Sequence, residues 1–130
     1  IGIFFGRIAN FINGELYGKP SSFFWSVVFP KIDMIPRHPS QLYEAILEGI
    51  ILFSILVPVI LKKNIQVGVC SGLFMILYGA FRILTEQFRE PDAQVGYIFN
   101  LFSMGSFLSF VMIFAGILIF IKIKNNAIYK

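Results

Sequence analysis

The sequence predicts an all-α fold, a polytopic transmembrane helix bundle, on three observations. Of its 130 residues, 57% are hydrophobic and 14% charged, whereas a soluble domain averages about 45–50% apolar and about 25% charged residues. Mean hydropathy is +0.79, and 16 of the residues are phenylalanine. Three segments are apolar over roughly 20 residues, the length at which a helix rising about 1.5 Å per residue crosses a hydrocarbon core of about 30 Å.

The elements follow in order. Residues 1–12 read as the end of a span. The chain opens Ile1-Gly2-Ile3-Phe4-Phe5 inside an apolar stretch, without the basic region and small-residue cleavage site of a signal peptide. We therefore expect the carboxyl-terminal part of a longer protein. Residues 13–41 are a polar loop with short interfacial elements. The first full span, 42–61, is interrupted by Glu44 and Glu48. Pro39 suits the first turn of its helix, and Pro58 is expected to kink it near its end. The second span, 67–88, is apolar as far as Arg82 and Glu86, and the third, 98–121, carries no charge. Gly68-x-x-x-Gly72 and Gly105-x-x-x-Ser109 have the small-residue spacing that lets membrane helices approach closely. Packing within one bundle is the expected use of both.

Loop charge assigns the sides. Lys62, Lys63, Lys122, Lys124 and Lys130 fall in the turn 62–66 and the tail, with no acid among them. That excess marks the cytoplasmic side, with the carboxyl terminus inside. The loop 13–41 and the turn 89–97 then face outward.

Several function classes are poorly served. A net charge of +4 and a pI near 9.4 suit nucleic acid only when the basic residues cluster, and here they are scattered between apolar segments. Cys70, the only cysteine, has no internal disulfide partner. One histidine, His38, and one cysteine far from it do not make a metal site; we expect no metal and no cofactor. His38 reads as a structural hydrogen-bonder.

The informative residues are charges that a bilayer disfavours. Arg82 lies inside a span, where a basic residue costs about 2.5–3.5 kcal/mol on insertion scales. Tyr78, Arg82 and Glu86 follow at four-residue steps, with Arg89 three further on, so they share one helix face. Arg82 either pairs with Glu86 or snorkels outward, or else it faces an anionic group with Glu86 orienting it. Glu44 either favours its helix amino terminus and packs on an arginine, or serves the site; Glu48, deeper, reads as a structural pair. The segment Gly6–Gly18 ends an apolar helix in polar and glycine-rich residues. There Arg7 offers a planar fork suited to phosphate, and Asn10 and Asn13 add neutral donors and acceptors.

These residues form ordered blocks. Gly6–Gly18 resembles the G-R-x-x-N-F-x-N-x-E-x-x-G signature of the prolipoprotein diacylglyceryl transferases, with every defined position present. Arg37-His38-Pro39-Ser40-Gln41-Leu42-Tyr43-Glu44 resembles the family's R-H-P-S-Q-L-Y-E block. Tyr78-Gly79-Ala80-Phe81-Arg82, then Glu86, Phe88-Arg89 and Pro91-Asp92-Ala93-Gln94, resembles its third block, and Ser103-Met104-Gly105 the start of its last span. The resemblance implies a multi-pass enzyme of about seven spans in the bacterial inner membrane. Its reaction would move the diacylglyceryl group of phosphatidylglycerol to the thiol of a lipobox cysteine in a prolipoprotein, releasing glycerol phosphate. Its partners would be phosphatidylglycerol, the prolipoprotein signal peptide and the bilayer, with the site toward the outer leaflet.

By the resemblance Arg7 would bind phosphatidylglycerol, and Arg82 would meet the phosphate or the developing negative charge. Asn10, Asn13, Glu15, Gly18 and Tyr78 would shape the headgroup site, and Glu44 and Glu86 would orient arginines, a carboxylate being one alternative base. The family's H-G-G block, which carries a histidine proposed as base, is absent here, and His38 belongs to a different block. A transporter or lipid-binding protein with an arginine-lined anion site is the alternative from another class, and a non-enzymatic scaffold the third.

Overall fold

The computed structural model describes residues 1–90, 97–98 and 102–128, with side chains to 90 and from 104 to 125. The Pro91-Asp92-Ala93-Gln94 block and Lys130 lie outside the described residues. The chain is mainly helical. Helix α1 runs Gly2–Asn13 and stops at Gly14, whose φ of 74° is the left-handed conformation that glycine adopts without a Cβ penalty. A loop follows, holding a short antiparallel pair, β1 (Val27–Val28) and β2 (Pro36–Arg37), in the register Val27 to Arg37.

Among the described residues three helices are long and apolar enough to cross a membrane: Ser40–Leu61, Val69–Glu86 and Met104–Asn125. The first is continuous but not uniform. It starts as α2 (Ser40–Glu44), widens into a π-helical segment at Ala45–Ile51, and resumes as α3 (Leu52–Leu61). The helix continues through Pro58, so its departure from α geometry lies a full turn or more upstream of the proline. Helix α4 is Val69–Glu86, and α5 is Met104–Ile128. The last helix starts later than the hydropathy suggests. Residues 97–98 and 102–103 are apolar enough to extend the run, yet they pair as β3 (Tyr97–Ile98) and β4 (Phe102–Ser103).

Small residues bring the helices together. A Cβ on Gly79 of α4 would lie 2.8 Å from the Ser109 carbonyl oxygen and 2.7 Å from Ile113 of α5; one on Gly116 would lie 2.8 Å from the Gly72 carbonyl oxygen. The α4–α5 pair is therefore antiparallel and packed through backbone, as small-residue spacing in membrane helices permits. Gly49, in the π segment, does the same for α1: its Cβ would sit 2.7 Å from that of Phe4.

The burial pattern is inverted relative to a soluble protein, in which large apolar side chains fill the interior. Among the described residues the largest fully buried side chains are Gln41, Glu44, Glu48, Thr85 and Ser40, while Phe53, Phe107, Phe114 and Leu118 are exposed. A polar interior inside an apolar exterior is what a lipid environment favours. This is a membrane protein.

Candidate functional site

Glu44, at the end of α2, has no exposed surface, and its two oxygens face different helices. Oε1 accepts a hydrogen bond of 2.6 Å from Arg82 Nη1 on α4, and Oε2 lies 2.9 Å from Arg7 Nε on α1. The other arm of the Arg82 fork, Nη2, lies 3.0 Å from Glu86 Oε2 one turn further along α4. Arg7, Glu44, Arg82 and Glu86 thus converge, and Arg82 meets both Glu86, the partner its spacing offered, and Glu44 from another helix.

Three more residues join them. Glu48 Oε2 lies 3.3 Å from Arg7 Nη2, and its Oε1 lies 3.6 Å from Arg82 Nη1. The Thr85 hydroxyl is 3.4 Å from Glu48 Oε1, and Arg89 Nη1 is 3.7 Å from Glu44 Oε1. The cluster holds Arg7, Arg82 and Arg89 against Glu44, Glu48 and Glu86, so its formal charges cancel. Burial without such pairing costs several kcal/mol per ion. Glu48 was legible as an acid inside an apolar span, and Arg89 continued the Arg82 face. Thr85 gave no signal, since threonine in an apolar helix is ordinary.

The other predicted residues lie around the cluster. Among the described residues no hydrogen bond or ion pair joins the side chains of Asn10, Asn13, Glu15 or Tyr78 to it. Asn10 is half-buried one turn beyond Arg7, and Asn13 and Glu15 are exposed. Tyr78 is half-buried one turn before Arg82 and stacks on Phe74 at 5.6 Å. Gly18 sits at a chain crossing. Its N–H donates to the His38 carbonyl oxygen, Lys19 N–H donates to Phe88 O, and a Cβ at Gly18 would collide with both His38 and Phe88.

The second motif block mostly braces the first. Gln41 Nε2 donates to the Glu15 carbonyl oxygen at 2.6 Å, and the Ser40 hydroxyl donates to that of Leu16 at 3.0 Å. Arg37 binds Asp33 at 2.6 Å and Gly18 O at 3.2 Å, and lies over the Tyr17 ring. This Arg37 guanidinium holds the Asp33 carboxyl below the usual carboxylate range, chiefly through that hydrogen bond. Of the block, only Glu44 enters the ion cluster. Gly105 extends the pattern to α5, since a Cβ there would meet Glu86 Oε2 at 3.0 Å.

Beside the cluster lies an apolar cavity of about 440 Å³ between the loop and the helices, lined by residues including Trp25, Tyr43, Leu47, Leu84, Thr85 and Phe88. The Tyr43 hydroxyl accepts from Trp25 Nε1 at 2.6 Å and lies 3.1 Å from His38 Nδ1. His38 is thereby hydrogen-bonded within the loop face. Among the described residues no group of His, Cys, Asp and Glu side chains is placed to hold a metal ion.

The prolipoprotein diacylglyceryl transferase family model matches residues 1–122. The chain belongs to this family. A phosphatidylglycerol–prolipoprotein diacylglyceryl transferase of Rickettsia bellii is 51% identical over 132 aligned residues, which cover 100% of this chain and 50% of that protein. Proteins of the same name from Rickettsia rickettsii and Rickettsia felis are 52% and 51% identical, covering 89% of this chain and 46% of their own length. The chain spans about half the length of these curated relatives. With family membership shown, each motif block has a place in the fold: the first brings Arg7, the second Glu44 and the bracing, the third Arg82 and Glu86.

Proposed function

We propose that the protein to which this chain belongs transfers the diacylglyceryl group of phosphatidylglycerol to the thiol of a prolipoprotein's lipobox cysteine. The observation that carries the reading is the meeting of Arg7 and Arg82, from two helices, on the buried carboxylate of Glu44. Two guanidiniums at one point, in a site of low dielectric, suit a phosphodiester more than any neutral ligand.

In the reaction the cysteine thiol gives its proton to a base, and the thiolate sulfur attacks the glycerol carbon that bears the phosphate oxygen. A carbon–sulfur bond forms as the carbon–oxygen bond breaks, and the electron pair leaves with glycerol phosphate. Negative charge grows on the departing phosphate oxygen. Donors already aimed at that oxygen lower the barrier without reorganising during the step. Arg82 fills that role, Arg7 holds the phosphodiester, and Glu44 and Glu86 fix the two guanidinium planes. Asn10, Asn13, Glu15, Gly18 and Tyr78 shape the headgroup end. The site faces the outer leaflet of the bacterial cytoplasmic membrane, and the carboxyl terminus lies inside, in keeping with the lysines of the turn 62–66 and the tail.

The test uses the full-length gene in cells depleted of their own transferase. Arg7→Ala and Arg82→Ala are introduced separately, and gel mobility of a prolipoprotein is followed. Unmodified precursor should accumulate although the enzyme inserts normally. Normal lipidation in both variants would remove these arginines from the mechanism.

A further inference from the structure

Glu48 is the one acid of the ion cluster to which the proposed reaction assigns nothing. It is 1% exposed and lies in the π-helical segment. Such widened turns are rare and occur often at functional sites. Its carboxylate spans the cluster from behind Glu44: Oε2 stands 3.3 Å from Arg7 Nη2, and Oε1 stands 3.6 Å from Arg82 Nη1 and 3.4 Å from the Thr85 hydroxyl. Thr85 in turn lies 3.2 Å from the Arg82 carbonyl oxygen, which ties the far oxygen to the backbone of the helix bearing Arg82. The next residue, Gly49, sets how closely α1, and with it Arg7, approaches.

Resting on the transferase reading, we infer that Glu48 is a positioning residue: its carboxylate sets the separation of the Arg7 and Arg82 guanidiniums and competes with the lipid phosphodiester for them. The two roles have opposite kinetic signatures. Setting the separation matters most in the transition state, where a displacement of about 1 Å costs on the order of 100-fold in rate. Competing for the arginines weakens ground-state binding of an anion, because a carboxylate held beside them offsets their field. Removing the charge while keeping the shape therefore slows turnover and does not weaken lipid binding. A residue that only supports the fold would lower the amount of active enzyme and leave both constants of the folded fraction alone.

The experiment takes the full-length protein, reconstituted with phosphatidylglycerol and a synthetic lipobox peptide, and compares wild type with Glu48→Gln after measuring the folded fraction of each. The expected result is a kcat lowered by about 10- to 100-fold, with KM for phosphatidylglycerol equal to or below that of wild type. A kcat lowered less than about fivefold, or any rise in KM for the lipid, overturns the inference. If Glu48→Gln does not accumulate, Thr85→Val removes the hydroxyl that reaches Oε1 and the Arg82 carbonyl oxygen and should show the same split at about threefold in kcat; unchanged constants overturn the inference equally. Wild type that transfers normally while both variants match it removes Glu48 alone. Wild type that transfers nothing removes the transferase reading and this inference with it.

Discussion

Replacing Glu44 by glutamine removes one negative charge from the point where Arg7 and Arg82 meet, and the geometry bounds the effect. The side chain keeps its shape and stays fully buried. The 2.6 Å bond from Arg82 and the 2.9 Å pair with Arg7 lose their charge, and an amide nitrogen must face a guanidinium at one of the two positions. The cluster passes from three arginines against three glutamates to three against Glu48 and Glu86. Removing one partner of a buried ion pair costs about 3–5 kcal/mol, and the remaining acids hold the loss near the lower end, about 3 kcal/mol. For a protein of some 150–250 residues each kcal/mol moves Tm by about 2–4 °C, so the expected fall is about 6–12 °C. The assay is thermal unfolding of the full-length protein in detergent, followed by circular dichroism. In a double-mutant cycle with Arg82→Gln, the double variant should lose less than the two singles added, because each single leaves an uncompensated buried charge. A Glu44→Gln protein melting within about 2 °C of wild type, or strict additivity in the cycle, would refute the claim that Glu44 is the electrostatic hinge of the site.

Gly49→Val should push α1 away, since even a Cβ there would lie 2.7 Å from Phe4 Cβ and 3.0 Å from Phe4 Cα. The expected cost is about 1–3 kcal/mol of stability, with precursor processing reduced because Arg7 lies one turn beyond Phe4; unchanged processing in cells would contradict it. Gly79→Leu should separate α4 from α5 and lower Tm, because Ser109 O at 2.8 Å is backbone and cannot rotate aside; the same melting assay checks this. Asp33 should remain ionised and paired with Arg37 at pH 5. Its carboxyl lies below its unfolded value of about 3.9, so its contribution is present above that value and is lost as pH falls through the lower, folded one. Limited proteolysis of the loop 20–39 should show protection down to about pH 4 that Asp33→Asn lacks.

The three long apolar helices were legible because length and hydropathy are local properties. The helix Ser40–Leu61 starts two residues before the expected 42, with Pro39 as its amino-terminal cap rather than in its first turn. The start of the last helix was not legible, because residues 97–98 and 102–103 are as apolar as a span and only their mutual pairing as strands takes them out of it. Within the site, intramembrane cost singled out Arg82, Glu44 and Glu86 from physics alone. Spacing on α4 put Arg82 beside Glu86, and the ion pair is there at 3.0 Å.

The sequence by itself determined that these helices are long and apolar enough to cross a bilayer, which family they belong to, and that charges inside them need partners. Those properties depend on composition, order and spacing along the chain. Only the tertiary structure decided who the partners are: residues 38 positions apart, Arg82 and Glu44, share a 2.6 Å bond, and Arg7 arrives from a third helix. It also decided that the helix widens at Ala45–Ile51. A guanidinium in a bilayer must be neutralised by some acid, but which one it meets depends on how closely helices pack, and that was set here by absent side chains at Gly49, Gly79 and Gly116.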